Sequence, residues 1–414
     1  MIVDLNYVPK GWKKIKIPKV LFFQEGPGVR NWQFTETGVK LLNVGNINLG
    51  KIDLSKTSIH LSDEEANGKY KHFLVDDGDL LIACSGIVVD NFHNKIAFAK
   101  KEHLPLCLNT STMRFKALND KVDLNYFKYY LQTVHFTAQL RKLITGSAQL
   151  NFGPSHIKKI DLLLPPLETQ KHIAQIQDDA AALRDKTEQL LKEYDALAQS
   201  IFLDMFGDPV INPQNWEKRK LKNGIINLQS GLSLSGEERD LKEGEIAVLK
   251  ISAITTGEFI NTEYKVVDKT NISKFLVFPK KGDLLFSRAN TKEKVGAIAT
   301  VDRDYNNIFI PDKLWRIDTN HLLNKTFLKF ILSHSGFRYN IEKVSTGTSG
   351  SMVNISMSKF LKIEAPFPPI DLQKQFAEKI ILIEKQKELA KQELQESHDL
   401  FNCLLQKAFK GELV

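Results

Sequence analysis

The sequence has few of the features that mark metal sites, disulfide frameworks or membrane spans. Its three cysteines, Cys84, Cys107 and Cys403, form no Cys-x-x-Cys pair and are odd in number, which argues against a zinc site and predicts buried free thiols. No run of about 18 apolar residues occurs, and the start MIVDLNYVPKGWKK has no apolar core of signal-peptide length. We therefore expect a cytoplasmic protein without membrane contact.

Sequence motifs of catalysis are missing as well. There is no G-x-x-x-x-G-K-[ST] phosphate loop, no G-x-G-x-x-G after a predicted strand, no H-E-x-x-H and no G-x-S-x-G. An Asn-Pro-Pro-aromatic cluster, which holds a flipped base for amino methylation, is also absent. The ten histidines lack metal-ligand spacing, and the GPG at Gly26–Gly28 is predicted to be a turn rather than a phosphate cradle. We expect a chain without an active site that binds neither a metal ion nor a cofactor.

The net charge of +8 separates into alternating blocks along the chain. It is +8 for residues 1–160 (22 basic, 14 acidic), −5 for 161–206 (4 and 9), +7 for 207–363 (24 and 17) and −2 for 364–414 (7 and 9). Basic lobes suit a polyanion such as DNA, whereas acidic segments suit protein docking or spacing. Charge alone leaves a diffuse solubilising role equally open.

Two long amphipathic segments are predicted to be helices. Glu168–Phe206 is free of Gly and Pro and repeats mostly apolar or small residues in steps of three and four, which is typical of a coiled-coil seam. At 1.5 Å per residue it would span roughly 58 Å. Its predicted partner is Asp371–Phe409, which has the same spacing. The predicted seam of the first helix comprises Ile173, Ile176, Ala180, Leu183, Thr187, Leu190, Tyr194, Leu197 and Ile201.

An internal repeat relates the two halves of the chain. Gly146–Phe206 aligns with Ser349–Phe409 without a gap at a constant offset of 203. GDLLIACSG at Gly78–Gly86 corresponds more loosely to GDLLFSRAN at Gly282–Asn290. The repeat indicates duplication and predicts two mixed, β-rich globes, each followed by a long helix. Identical residues in the repeat include Asn151 and Asn354, Ser155 and Ser358, Lys159 and Lys362, Gln170 and Gln373, and Phe206 and Phe409.

Two matched pairs of residues are predicted to be structural. Asp79 and Asp283 recur in a Gly-Asp turn, where the carboxylate can cap the turn backbone. Trp12 and Trp216 are predicted to pack at the start of each globe.

Polar loops supply the candidate nucleic-acid contacts. One pair of loops follows the GDLL strands, at Cys84–Lys95 and Ser287–Gly296, and another precedes the long helices, at Thr145–Asn151 and Ser345–Asn354. Arg pairs with guanine, Asn pairs with adenine, and Lys neutralises phosphate; glycines and small hydroxyl residues allow close backbone approach. Solvated or flexible loops have a similar composition. The candidate DNA contacts are Arg30, Asn43, Asn46, Lys69, Lys71, Ser85, Asn91, His93, Lys95, Thr145, Ser147, Gln149, Lys250, Ser252, Ser287, Arg288, Asn290, Thr291, Lys292, Lys294, Thr346, Thr348, Ser349 and Ser351.

From Trp12 to Leu413 the chain resembles the specificity subunit of type I restriction-modification enzymes. The resemblance rests on PPLETQKHIAQI and PPIDLQKQFAEKI before the long helices, the connector LDMFGDPVINPQNW, the TGxS loops and the terminal AFKGEL. It departs from the family pattern at Thr169, where an acidic residue commonly precedes the Gln. The first polar loop also differs from the second in length and charge, which implies different half-site sequences.

The resemblance implies a non-catalytic DNA-recognition subunit. Two target-recognition domains would each contact one half of a split, asymmetric DNA sequence, and two antiparallel helices would set the gap. The helices would dock two modification (methyltransferase) subunits that carry S-adenosylmethionine, and restriction subunits would add ATP- and Mg-dependent translocation and cleavage. The rival hypotheses are a stand-alone DNA methyltransferase or nuclease with an unfamiliar site, and a scaffold that never touches DNA.

The fold class predicted from these observations is α+β, with two similar β-rich recognition domains joined by two long antiparallel coiled-coil helices in a pseudo-two-fold repeat. The predicted domains are residues 1–160 and 208–363 for recognition, and 161–207 and 364–414 for the spacer and docking helices.

Overall fold

The chain divides by its internal contacts into two compact units. Unit 1 comprises residues 1–188 and 392–414, and unit 2 comprises residues 189–391. The computed structural model describes residues 5, 7–55, 57–87, 89–144, 151–272, 275–347 and 352–413, with only the backbone at 89–91 and 271. Each unit therefore contains one half of the sequence repeat together with parts of both long helices.

Unit 1 contains short strands and helices that lead into the first long helix. Its strands are β1 (Lys13–Lys16), β2 (Leu21–Glu25), β3 (Val39–Leu42), β4 (Ile47–Asn48), β5 (Lys51–Ile52), β6 (His60–Leu61), β7 (Leu80–Ala83), β8 (Ile96–Phe98), β9 (Leu106–Leu108), β10 (Thr112–Ala117) and β11 (Asp161–Leu164). The helices are α1 (Asp63–Asn67), α2 (Leu124–Tyr130), α3 (Val134–Leu143), α4 (Pro154–Ile157) and α5 (Leu167–Phe206), whose last residues belong to unit 2.

Unit 2 repeats this succession of elements. Its strands are β12 (Lys218–Lys220), β13 (Ile225–Ser230), β14 (Ile246–Leu249), β15 (Tyr264–Val267), β16 (Leu284–Ser287), β17 (Ala289–Asn290), β18 (Ile298–Thr300), β19 (Ile308–Phe309), β20 (Leu314–Thr319), β21 (Val353–Asn354) and β22 (Glu364–Pro366). The helices are α6 (Lys325–Ser333), α7 (Ser335–Val344), α8 (Met357–Phe360) and α9 (Ile370–Phe409), whose end belongs to unit 1.

The two larger sheets and a terminal strand pair have the same strand order in both units, whereas the β4-β5 and β17-β21 pairs each occur in one unit among the described residues. An antiparallel four-stranded sheet has the order β2-β10-β7-β8 in unit 1 and β13-β20-β16-β18 in unit 2. A three-stranded sheet has the order β6-β3-β9 or β15-β14-β19, and its last pair is parallel in both units. A terminal pair, β1-β11 or β12-β22, closes each unit just before its long helix. The backbone plan is thus repeated more completely than the sequence, and the predicted α+β duplicated fold is confirmed.

Both long helices contribute to the core of each unit. In unit 1, Ile173 and Ala180 of α5 share a buried apolar cluster with Phe401 and Phe409 of α9. In unit 2, Phe202 near the end of α5 lies 5.6 Å from Phe376 near the start of α9, measured between ring centroids. The start of one helix meets the end of the other in both units, so the helices are antiparallel as expected.

A buried glutamine ties the start of each long helix to its own unit. Gln170 Nε2 donates to the carbonyls of Pro165 (2.9 Å) and Lys121 (2.8 Å), and its Oε1 accepts from Asp123 N. Gln373 makes the matching three bonds, with the carbonyls of Pro368 and Leu322 and with Asn324 N. The repeated Gln-Lys pair therefore has a structural explanation, because this amide satisfies backbone groups at a helix start.

The predicted structural roles of the repeated Asp and Trp residues are confirmed. Asp79 Oδ2 accepts from Asp76 N, and Asp283 Oδ2 accepts from Lys280 N, each at 2.9 Å. Trp12 packs edge-on against Tyr126 and Phe409. Trp216 donates from Nε1 to the carbonyl of Phe206 at 3.0 Å.

The predicted seam of α5 is wrong at two positions. Leu183 and Leu197 are exposed, whereas Gln177 and Ala198 are buried. At 3.6 residues per turn a helix drifts against a three-four pattern, so the buried stripe moves by one residue along its length. In α9 the predicted seam is buried or half-buried throughout and comprises Phe376, Ile380, Ile383, Lys387, Ala390, Leu394, Ser397, Phe401, Leu404 and Ala408. The ammonium of Lys387 lies 2.6 Å from the Asp195 carboxylate.

The cysteines are all free, as predicted, but only two are buried. Cys84 and Cys107 lie in the interior of unit 1, and Cys403 is exposed on α9, which corrects the prediction of burial. Burial raises the pKa of the Cys84 and Cys107 thiols to about 12. These two thiols therefore stay protonated at neutral pH and are poor nucleophiles.

Among the described helices, none is long and apolar enough to cross a membrane.

Replacing Gln177 with Ile is expected to raise the free energy of unfolding by about 1 to 2 kcal/mol, because an unsatisfied buried amide carries a desolvation cost. Gln177 is fully buried, and neither of its amide atoms has a hydrogen-bond partner among the described residues. Ile380 occupies the equivalent position in α9. Urea unfolding followed by circular dichroism measures the change.

The matched control for this prediction is Gln170→Leu. Gln170 is the second buried glutamine at the start of this helix, and both its amide nitrogen and its amide oxygen are hydrogen-bonded. Its replacement is therefore expected to destabilise the protein. Equal destabilisation by both substitutions would contradict the assignment of Gln177 as unsatisfied.

Candidate nucleic-acid interface

The loop after β16 in unit 2 holds Arg288 by its backbone on both sides. Arg288 N donates to the carbonyl of Lys313 at 3.1 Å, and Ile355 N donates to the carbonyl of Arg288 at 2.9 Å. Three segments that are remote in sequence therefore meet at this residue. We name the backbone junction of Arg288, Asp312–Lys313 and Ile355 the unit 2 node.

The side chain of Arg288 is directed by Asp312. Its Nε donates to the Asp312 carbonyl at 2.8 Å, and its Nη2 lies 3.9 Å from the Asp312 carboxylate. Ser233 Oγ donates to the same carboxylate, and Ser230 Oγ donates to the Asp312 carbonyl at 2.9 Å. With 29% of its side chain exposed, Arg288 is anchored but accessible.

Unit 1 has the same backbone junction with different side chains. Cys84 N donates to the carbonyl of Ser111 at 2.8 Å, and Phe152 N donates to the carbonyl of Cys84 at 2.9 Å. Cys84 Sγ lies 3.6 Å from the carbonyl of Thr110, as Arg288 Nε lies close to that of Asp312. We name Cys84, Thr110–Ser111 and Phe152 the unit 1 node.

A glycine follows β2 in unit 1 and β13 in unit 2, and it lets the backbone pass close to the node. A Cβ on Gly26 would lie 2.4 Å from the backbone nitrogen of Asn109, and one on Gly231 would lie 1.7 Å from the carbonyl oxygen of Ile310. Any side chain at these positions would collide with backbone. The GPG segment therefore serves close packing beside the node.

The two predicted polar loops of unit 2 are joined into one ribbon. β17 pairs with β21, and Thr346 exchanges backbone bonds of 2.7 and 2.9 Å with Asn354. Thr346, Thr291 and Lys294 are exposed on this ribbon and its loop. Lys292 is also exposed, and its ammonium forms a 2.8 Å ion pair with Glu342, whose hydrogen bond raises the lysine pKa.

Two candidates near this ribbon are enclosed. Ser287 is fully buried, and its hydroxyl lies 3.4 Å from the carbonyl of Ala289. Asn290 is 9% exposed, and its Oδ1 accepts from Thr291 N at 2.8 Å. Both side chains therefore face the protein rather than a groove in this conformation. Ser287 ends the fully buried strand β16, and Asn290 lies in the paired strands β17 and β21.

Lys250 and Ser252 follow β14 of the three-stranded sheet in unit 2, whereas the ribbon belongs to a different sheet. The Lys250 ammonium is 3.1 Å from Glu263 and 3.5 Å from Glu238, and these bonds raise its pKa. The Ser252 hydroxyl donates to Glu263. Two carboxylates compensate the lysine, which leaves little net positive charge for a phosphate.

In unit 1 the structure brings together Asn43, Ser85 and Lys95 around the node. Asn43 Oδ1 accepts from Asn109 Nδ2 at 2.6 Å, and Lys95 Nζ lies 3.4 Å from the carbonyl of Val44. Ser85 Oγ donates to Asn151 Oδ1 at 2.8 Å. Asn46 is buried instead, where its amide supports the β4-β5 hairpin through the carbonyl of Asp53 and the hydroxyl of Thr57.

The remaining candidates of unit 1 form a separate surface group. Arg30, Lys69 and Lys71 are exposed near a turn fixed by the buried Gln33, whose Nε2 donates to Tyr70 Oη at 3.0 Å. His93 is exposed on the turn after β7. The candidates outside the described positions are Thr145, Ser147, Gln149, Thr348, Ser349 and Ser351, and the side chain of Asn91 is also not described.

Sequence reasoning missed several residues of the nodes. Asp312, Ser233 and Thr110 lie in segments without a recognisable motif, and only the tertiary fold brings them to the loop ends. Asn151 was marked by the repeat, since it matches Asn354. Trp32, which is 81% exposed, is not among the candidate contacts either, because no periodic sequence pattern marked it.

The chemistry available at these nodes is recognition rather than catalysis. Guanidinium, amide and hydroxyl groups are presented on a rigid frame, and such groups read base edges and phosphates. No group of three or more potential metal ligands is found in the described part of the chain. The fold thus defines a class of protein with two similar α+β units built on a pair of antiparallel helices.

Comparison with known proteins identifies the family. A family model described as the type I restriction modification DNA specificity domain matches the chain twice, over residues 9–193 and 213–396. The chain therefore belongs to the type I restriction-modification specificity family and is a specificity subunit with two target-recognition domains. This confirms the resemblance, and with it the prediction of a recognition subunit rather than an enzyme.

Individual relatives match either nearly the whole chain or less than half of it. The EcoKI specificity subunit of Escherichia coli K12 is 21% identical over 435 residues, covering 98% of this chain and 90% of the relative. The MjaVIII specificity subunit of Methanocaldococcus jannaschii is 28% identical over 172 residues, covering 42% of this chain and 40% of that protein.

Solved structures share the fold. The S subunit of a type I restriction-modification system from M. genitalium has a TM-score of 0.51 at 17% identity, covering 98% of this chain and 97% of its own. A second chain, from work on complex assembly and conformational transition of the type I R-M system, has a TM-score of 0.56 at 16% identity, covering 98% and 99%.

Proposed function

We propose that this chain is the non-catalytic subunit that gives a type I restriction-modification complex its DNA sequence specificity. Each unit reads one half of a bipartite, asymmetric sequence, and the two long helices set the gap between the halves. The chain positions a modification subunit so that a target adenine in each half-site enters the partner's active site.

The observation that carries this proposal is the combination of an identical frame with different side chains. Both nodes use the same backbone bonds, yet the unit 2 node holds the accessible Arg288 beside Asp312 and the unit 1 node holds the buried Cys84 beside Thr110. A duplicated reader with diverged side chains reads two different half-sites, because base-edge contacts depend on the donors and acceptors presented.

The helices support the proposed spacing and docking roles. Each contains 40 residues, or about 60 Å at 1.5 Å per residue. Their core-facing stripe is buried within each unit, whereas Leu197, Ile381, Leu382 and Leu389 are exposed on unit 2. Acidic helices with exposed apolar residues suit protein partners better than phosphates.

Cofactors and partners follow from this division of labour. We propose that two modification subunits carry S-adenosylmethionine, that restriction subunits carry ATP and Mg²⁺, and that this chain binds none of these. We also expect a cytoplasmic location, where the DNA substrate lies.

Methylome sequencing tests the proposed function. A host expressing this chain with its modification subunit is expected to acquire methylated adenines in one bipartite motif with a constant gap. The chain incubated alone with DNA and labelled methyl donor is the control, and no methylation is expected. Methylation by the isolated chain, or sequence-independent methylation by the complex, would show the proposal to be wrong.

A further inference from the structure

The nodes of the two units differ in one respect that bears on base recognition. At the residue after the central GDLL strand, unit 2 has an arginine with 29% of its side chain exposed, and unit 1 has a cysteine that is 1% exposed. The backbone around both is held by equivalent bonds. The position therefore has a rigid backbone support in both units, and only unit 2 exposes its side chain there, as a cation.

Arg288 is held through one edge of its guanidinium. The Nε hydrogen is used by the Asp312 carbonyl at 2.8 Å, and Nη2 lies within 3.9 Å of the Asp312 carboxylate. A guanidinium has five N–H donors, so the Nη groups retain donors for a ligand. Two parallel donors on a planar group match the O6 and N7 acceptors of guanine in the major groove.

Asp312 is itself fixed by the end of β13. Ser233 Oγ donates to its carboxylate and Ser230 Oγ to its carbonyl. The backbone of the intervening Gly231 packs against Ile310 so closely that no side chain fits there. The support of Arg288 is therefore a chain of contacts that runs from Ser233 through Asp312 to the guanidinium.

Such support changes what an arginine can do. A free arginine side chain loses rotamer entropy when it is fixed, and an arginine held beforehand loses less on binding. An anchored guanidinium also fails to follow a misplaced acceptor, which favours one base over the others.

We propose that Asp312 is a positioning residue that aims Arg288 at the major-groove edge of one guanine in the half-site read by unit 2. This inference rests on the proposed function, since it names the base contact of a unit taken to read DNA.

The test uses the full chain assembled with its modification subunits and DNA duplexes carrying its methylated motif. Each guanine of the second half-site is replaced in turn by 7-deazaguanine, which removes the N7 acceptor. For the unchanged protein, one position is expected to weaken binding by roughly 10- to 100-fold, the range of a good bidentate pair. Arg288→Ala should bind the normal duplex weakly and be insensitive to 7-deazaguanine at that position.

Variants of Asp312 separate positioning from simple structural support. Asp312→Ala keeps the main-chain carbonyl that accepts from Arg288 Nε but removes the carboxylate 3.9 Å from Nη2. It is expected to lower the sensitivity at the same position while keeping its affinity for unrelated DNA. Asp312→Asn retains an oxygen that accepts from Ser233 and should restore part of the discrimination. Circular dichroism and thermal unfolding show whether each variant folds. If the Ala variant does not fold, the binding profile of the Asn variant alone provides the test.

Arg239→Ala is the charge-matched control. Arg239 is paired with Glu237 and Glu245 in the same unit, and its loss removes the same charge without touching the node. It should leave the 7-deazaguanine profile unchanged.

Two outcomes would overturn the inference while the proposed function stands. One is equal weakening by Arg288→Ala on cognate and unrelated duplexes, which would make Arg288 a phosphate contact or a structural residue. The other is a full 7-deazaguanine effect in both Asp312 variants. Absence of any sequence preference in the unchanged complex would instead show the proposed function to be wrong.

Discussion

Exchange of the first recognition domain for that of another specificity subunit is expected to change one half of the methylated motif completely and to leave the other half and the gap as they were. The reason is that each unit has its own sheets, core and node. Methylome sequencing of cells carrying the hybrid measures both half-sites at once.

The structure refines where this exchange is made. A junction after residue 160 would separate β1 from its partner β11, since Lys13 pairs with Leu164. A junction between Leu164 and Pro165 keeps this pair within the donor domain. The donor should also supply aromatic residues equivalent to Trp12 and Tyr126, whose rings contact Phe409 of the retained helix α9.

The reciprocal exchange of residues 208–363 serves as the control and should change only the other half-site. If either hybrid altered both half-sites, or altered the gap alone, independent reading by the two units would be wrong.

Insertion of four residues into both long helices is expected to lengthen the permitted gap between half-sites. Four residues add about 6 Å, or about two base-pair steps, and close to one helical turn, so that the buried stripe keeps its direction. The insertions belong next to Asp195 in α5 and next to Lys387 in α9, which form a 2.6 Å ion pair. Binding of the complex to duplexes with graded gaps measures the change.

An insertion near Asp195 alone is the matched comparison. It shifts the register of α5 against α9 and separates Asp195 from the largely buried Lys387, whose side chain is 7% exposed. Breaking this pair is costly because the buried ammonium loses its shortest ion pair and keeps only the longer ones to Glu384 (3.5 Å) and Glu258 (3.7 Å). Weak or absent DNA binding is expected for this single insertion. For the double insertion, an unchanged gap between half-sites would contradict the spacer role.

The sequence alone predicted the long helices and the duplication closely. The predicted helix Glu168–Phe206 is observed as Leu167–Phe206, because a strong apolar period between a Pro pair and a Gly-Asp-Pro stop defines both ends. The repeated Gly-Asp turns were also predictable, since their bonds are local. The predicted domain boundaries remain a prediction, although β11 pairs within the first globe and not with the helix that follows it.

The candidate interface was predictable only in part. The repeat marked Arg288 and Asn290 equally, yet the first is accessible and the second is buried. Asn290 is paired with Val353 in the β17-β21 ribbon, whereas Arg288 lies between β16 and β17, and polarity does not reveal which of two polar residues the fold encloses. In the seam of α5, a prediction that was off by one residue misplaced Leu183 and Leu197.

The sequence by itself determined a duplicated chain with two basic α+β globes and two long helices. Periodicity and turn residues are local patterns, and the duplication is visible when one half of the sequence is compared with the other. Only the tertiary structure decided that Asp312 meets both Arg288 and Ser233, and that Thr110 lies at the matching place beside Cys84. These contacts join residues that are far apart in the chain, and no local pattern encodes which loop ends the folded sheets bring together.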